Sequence, residues 1–184
     1  DMVAVGLAGI GLAFAMWWMY FMVPAGTALH AQRERSFVFG YAHMLLFASI
    51  TATGVGLRVY AYYLEGKTQI GEAAVVASVA IPAAVFAIVL TFLHAYMVAV
   101  DPLQLWLAAA LLVCSAAAIA LAMAGLPLTL CLAMILAMPT ATIILDELIG
   151  FRYRAAPLDL LTRHRRRLPP RAWELTRRRW CWPD

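Results

Sequence analysis

The chain predicts an all-α membrane protein: a polytopic bundle of about five transmembrane helices with a basic cytoplasmic tail. Three observations lead there. Of 184 residues, 65% are hydrophobic and only 13% are charged, whereas a soluble domain carries about 45–50% apolar and about 25% charged residues. The apolar residues gather in runs of 18 to 28, long enough, at about 1.5 Å per helical residue, to cross a hydrocarbon layer about 30 Å thick. Ten of the fourteen Lys and Arg residues lie after Gly150. The net charge of +4 therefore belongs to one end, which argues against a uniformly basic surface for nucleic acid. The chain divides into a transmembrane domain, 1–150, and an Arg/Trp-rich tail, 151–184.

The first span is predicted at about 2–29. Gly6, Gly9 and Gly11, with Ala13 and Ala15, give small-residue spacings suited to close helix contact. Trp17-Trp18-Met19-Tyr20-Phe21 is either an interfacial aromatic belt or bundle packing, and Pro24 is expected to kink the helix. A polar link with Arg33, Glu34 and Arg35 leads to the second span, 37–64. There Ala48, Ala52 and Gly56 recur every four residues and predict a smooth helix-packing ridge. On another face fall Gly40, His43, Phe47, Thr51, Gly54 and Arg58, the most polar stripe of the membrane part.

A polar loop from Glu65 to Glu72 precedes the third span, about 73–100, where Pro82 should introduce a kink and His94 lies near the end. Asp101-Pro102 breaks the chain, since proline cannot continue the hydrogen-bond ladder. The fourth span, 103–124, has no charged residue, and Gly125-Leu126-Pro127 turns into the fifth, 128–145, which contains Pro139 and ends at Asp146-Glu147.

In the tail, Arg163, Arg165, Arg166, Arg167, Arg177, Arg178 and Arg179 flank Pro169-Pro170 and accompany Trp173. Two readings stand: a loosely ordered cytoplasmic tail, or a segment lying on the bilayer with its arginines on anionic headgroups and its tryptophans at the interface. By the positive-inside rule the tail is cytoplasmic, and five spans then place the first residue outside. The chain enters an apolar run directly at Asp1, with no basic segment before it. This does not resemble a signal peptide, and upstream sequence, lost or encoded separately, is expected.

The second and third spans run antiparallel, so His43 and His94 are expected at a similar depth, about 9 Å inside the cytoplasmic end. Ionisable groups within spans are costly and are functional candidates. The histidines either brace the packing through hydrogen bonds, or handle protons or ions near neutral pH, or ligate a haem or metal. Neither two histidine pairs nor a CxxCH is present, and no third ligand stands near for zinc. No cofactor and no metal is expected. Arg58 either snorkels to the interface or meets a substrate anion or a carboxylate such as Glu65 or Glu72. Cys114, Cys131 and Cys181 are scattered and read as apolar fillers. No catalytic constellation is visible, so an enzyme is not expected.

At Trp17-Trp18-Met19-Tyr20-Phe21 and again at Tyr41-Ala42-His43-Met44-Leu45, the sequence resembles the bacterial low temperature requirement A family. The small-residue stretch Ala48 to Leu57, His94, and the run Asp146, Glu147, Arg152, Arg154 continue the resemblance. It covers about residues 10–155 and would correspond to the C-terminal half of a family member in the bacterial cytoplasmic membrane. It implies a fold more than a mechanism; the first reading of the residues is a non-enzymatic membrane protein of this type, transporter-like or accessory, with His43, His94, Thr51 and Arg58 around an intramembrane polar site. The competing readings are a structural subunit, docked on another membrane chain through the Ala48, Ala52, Gly56 ridge and the tail, and an electron-transfer subunit.

Overall fold

The computed structural model describes residues 2–22, 29, 33–97, 102–145 and 147–148. The described part is all-helical, with five long helices: α1 Met2–Phe21, α2 Ser36–Leu64, α3 Glu72–Met97, α4 Pro102–Met123 and α5 Leu128–Leu145. Each is long and apolar enough to cross a membrane. A single 3-10 turn, Arg33–Arg35, leads into α2. Pro24, the end of the expected first span and the tail with Arg163, Arg165, Arg166, Arg167, Trp173, Arg177, Arg178 and Arg179 lie outside the described residues.

Two connections are cut short by the same local device. At the end of α2, Gly66 takes φ +69°, the Lys67 N–H bonds back to the Tyr62 carbonyl and the Gly66 N–H to the Tyr63 carbonyl. At the end of α4, Gly125 takes φ +79°, with Leu126 N–H bonded to Leu121 and Gly125 N–H to Ala122. These are paired Schellman caps, which satisfy the last carbonyls of each helix and need a residue at ease with positive φ.

The helices close into a ring. Each packs on its sequence neighbours, and α1 closes the circle between α2 and α5. α3 also reaches α5 across the ring. Accordingly α3 is the most buried helix, 44% of its apolar window against 22–28% for the others. Its Val75, Val79, Ala80, Phe86 and Leu90 form the middle of the core. Outward, Phe14, Trp17, Phe37, Phe47, Trp106 and Val113 are exposed. That much apolar surface is a liability in water and a requirement in lipid.

Both internal prolines are accommodated without ending their helices: α3 runs through Pro82 and α5 through Pro139. Pro82 has no N–H, so the Ser78 carbonyl four residues back lacks its helical donor. Gly56 of α2 lies against that carbonyl; a Cβ built there would stand 2.1 Å from the Ser78 oxygen. The glycine's Cα–H thus faces the freed oxygen, a weak hydrogen bond of the kind found at close helix seams. The Ser78 hydroxyl donates chiefly to the Val75 carbonyl of its own helix, at 2.7 Å, and lies 3.3 Å from the Gly56 carbonyl.

Candidate functional site

His43 is held from both sides. Its Nδ1 lies 2.6 Å from the Phe39 carbonyl one turn back, and its Nε2 lies 2.7 Å from the Tyr20 hydroxyl of α1. A carbonyl only accepts, so Nδ1–H donates to Phe39; in the neutral ring Nε2 then accepts from Tyr20. The rings of Tyr20, Phe39 and Phe47 surround the imidazole, with centroids 5.5, 4.3 and 5.9 Å away. With both ring nitrogens engaged, His43 works as a brace between α1 and α2. To ligate anything it would have to give up one of these bonds.

His94 has different surroundings. It is buried at 6% exposure and lines a cavity between α1, α3, α4 and α5 with Met19, Met22, Thr91, Leu107 and Thr142. The Thr91 hydroxyl donates to the Ala87 carbonyl at 2.8 Å, and that of Thr142 to Met138 at 2.9 Å. Each hydroxyl oxygen keeps acceptor capacity. The cavity, about 30 Å³, has room for one or two waters.

A second cavity of about 20 Å³ adjoins it, more apolar, lined by Met16, Phe86, Cys114, Ser115, Met134 and Pro139 among others. Met19, Ala87 and Leu111 line both and separate them. Pro139 leaves the Ile135 carbonyl without its helical donor, and both residues lie on this second cavity. Sequence reasoning missed Thr91, Thr142 and Tyr20 as companions of the histidines. Their one signal was a polar side chain in an apolar helix, which Ser49, Thr53 and Ser115 share.

The two histidines occupy the same end of the bundle. His43 meets Tyr20 and His94 shares a cavity with Met19, adjacent residues of α1. Arg35 marks that end, donating from Nη1 to the Tyr96 carbonyl and lying 4.9 Å from the Tyr96 ring centre. Thr51 and Arg58 are not brought there. Thr51 is exposed and bonded to its own Phe47 carbonyl. Arg58 is exposed toward the other end and bonded to Tyr62. Of the expected packing ridge, Gly56 is buried in the α2/α3 seam, whereas Ala48 and Ala52 are exposed. The buried face of α2 is Ala42, Leu46, Ser49, Thr53, Gly56 and Tyr60. Among the described residues no group of three or more His, Cys, Asp or Glu is placed to hold a metal ion.

No curated protein and no solved structure gives a match to the chain. Residues 1–139 match the family model described as bacterial low temperature requirement A protein. The match takes in α1 to α4, most of α5 and both histidines, and stops before the run from Asp146 to Arg154. Three quarters of the chain thus carries the family pattern on an all-helical body built to cross a bilayer, and the protein belongs to the bacterial low temperature requirement A family.

Proposed function

We propose that the protein is a transporter-like unit of the cytoplasmic membrane that passes protons, or water-sized polar species carrying them, through the site at His94. The observation that carries this reading is the cavity itself. A buried imidazole faces it beside two threonine hydroxyls in an otherwise apolar bundle. Imidazole is the side chain that most readily exchanges protons near neutral pH, and intramembrane ionisable groups earn their place by function more often than by stability. The cavity's small volume favours water and protons over an organic solute. His43 supports the site by fixing α1 against α2 at the same level. The arginine-rich tail argues for a cytoplasmic C-terminus and an external N-terminus.

A second reading rests on the exposed Ala48 and Ala52 of α2. A smooth outer face suits docking against another membrane chain, which would make the protein an accessory subunit.

Reconstitution separates the two. In proteoliposomes loaded with a pH-sensitive dye, the wild-type chain should dissipate an imposed pH gradient faster than protein-free vesicles, and His94→Ala should return the rate to the protein-free level. Wild-type flux no greater than that of empty vesicles, or full flux in a folded His94→Ala protein, would overturn the transport reading.

A further inference from the structure

The opposite end of α2 carries a second polar group, remote from the histidines. Arg58 is the only lysine or arginine inside a described span. It is exposed, and its Nε and Nη2 both donate to the Tyr62 hydroxyl, at 2.9 and 2.6 Å. Its guanidinium carbon lies 5.2 Å from the Tyr62 ring centre. The Lys67 ammonium approaches the same ring at 5.8 Å.

The nearby carboxylates are engaged elsewhere. Glu65 lies 2.6 Å from the Lys67 ammonium, and Glu72 accepts the Tyr63 hydroxyl at 3.2 Å. Among the described residues no carboxylate pairs with Arg58. The hydrogen bond to Glu65, and the attraction between the two charges, hold the Lys67 ammonium above its ordinary pKa, so it is charged at neutral pH. With Lys67 paired to Glu65 and Glu72 engaged by Tyr63, Arg58 is the cation of this corner that has no carboxylate partner among the described residues.

Depth identifies the counter-charge. The 29 residues of α2 span about 43 Å, which exceeds a hydrocarbon core of about 30 Å. Centred in the bilayer, the helix overhangs by about 6 Å at each end. Arg58 lies six residues before Leu64, so its Cα sits about 3 Å below the hydrocarbon edge. The side chain runs toward Tyr62, one turn nearer the surface, and delivers the guanidinium to the headgroup layer.

Tyr62 occupies the Nε edge of the guanidinium. Three of the five N–H donors stay open, two on Nη1 and one on Nη2, so the Nη1/Nη2 end of the guanidinium is free to grip a phosphate in bidentate fashion. We infer that Arg58, Tyr62 and Lys67 form a binding site for the phosphate of an anionic lipid headgroup. Lipid is favoured over a protein carboxylate because the group faces outward from the bundle at phosphate depth, where such headgroups are abundant.

The test is native mass spectrometry of the full chain in detergent, titrated with phosphatidylglycerol and, separately, phosphatidylcholine. Wild type should prefer phosphatidylglycerol. Arg58→Gln should weaken that lipid by about fivefold, the weight of one basic side chain at an anionic surface, with phosphatidylcholine, whose phosphate is offset by its own choline cation, weakened less. Arg58→Lys should restore part of the loss, which also guards against a merely misfolded Gln variant. The tail arginines give the same background to every variant, so the difference reports Arg58. Undiminished phosphatidylglycerol preference in Arg58→Gln would overturn the proposal. So would displacement of the lipid by millimolar sodium phosphate, which would assign the site to a soluble anion. Loss of a co-purifying membrane protein from Arg58→Gln, with lipid binding intact, would assign it to a protein interface and equally overturn it.

Discussion

Gly54 and Gly56 stand two residues apart in α2, and a methyl group added to each meets different surroundings. At Gly54 nothing lies within 4 Å, so Gly54→Ala should be neutral or stabilise the helix by up to about 1 kcal/mol through propensity alone. At Gly56 the added carbon would stand 2.1 Å from the Ser78 carbonyl oxygen and 2.9 Å from the Val79 nitrogen. Both are backbone atoms of α3 and cannot swing aside. Gly56→Ala should therefore push the two helices apart, at the upper end of the roughly 1–3 kcal/mol typical of overpacking. Thermal melts of the two variants in detergent, compared with wild type, check both signs. A Gly56→Ala protein as stable as Gly54→Ala would refute the close seam. The Tyr20–His43 bond makes a third claim at this scale. Tyr20→Phe removes an interhelical hydrogen bond inside a membrane bundle, worth about 0.6–1.7 kcal/mol. It should also change the Nε2 nitrogen shift of His43 in an NMR spectrum, because that nitrogen loses its donor.

At the scale of the helices, the sequence showed where each element lies far better than which way it faces. The five spans were expected near 2–29, 37–64, 73–100, 103–124 and 128–145, and the helices observed are Met2–Phe21, Ser36–Leu64, Glu72–Met97, Pro102–Met123 and Leu128–Leu145. Run length is legible because a bilayer demands about twenty apolar residues whatever their order. Facing is not, because lipid and core are equally apolar and no polar stripe marks the outside. Hence Ala48 and Ala52 read as a packing ridge but lie exposed, while the buried face of α2 is set a step round the helix, through Ser49 and Thr53. Hence also Thr51 and Arg58 share a helical stripe with His43 without sharing its site. The caps were legible in part: Gly66 and Gly125 announced breaks, and their positive φ explains why glycine stands there. Neither has an atom within 4 Å of an added Cβ, so Gly66→Ala isolates backbone strain from packing. It should lower stability by about 1 kcal/mol, and a melt equal to wild type would count against the left-handed cap.

For the molecule as a whole, the ring leaves its interior gaps between α1, α3, α4 and α5, and the junction between the two cavities decides whether they can act together. Ala87 of α3, 2% exposed, borders both. A leucine there adds three carbons where the cavities meet, with Met19 and Leu111 on the far side. The core is dense, so the strain should be about 1–3 kcal/mol, which a five-helix bundle tolerates. On the transport reading, Ala87→Leu should remain folded, keep the Tyr20–His43 brace, and lose dye-reported proton flux. Ala109→Leu on the exposed side of α4 should keep flux at the wild-type level, since its side chain lies outside the ring. The pair of variants distinguishes a conducting interior from a merely imperfectly packed one. If the cavities are packing defects, the filled protein melts lower by that strain and changes in nothing else. If they are a path for water and protons, the filled protein is inactive while its fold is intact. Wild-type flux through a folded Ala87→Leu protein would detach the second cavity from the path and leave His94 to act from the first cavity alone.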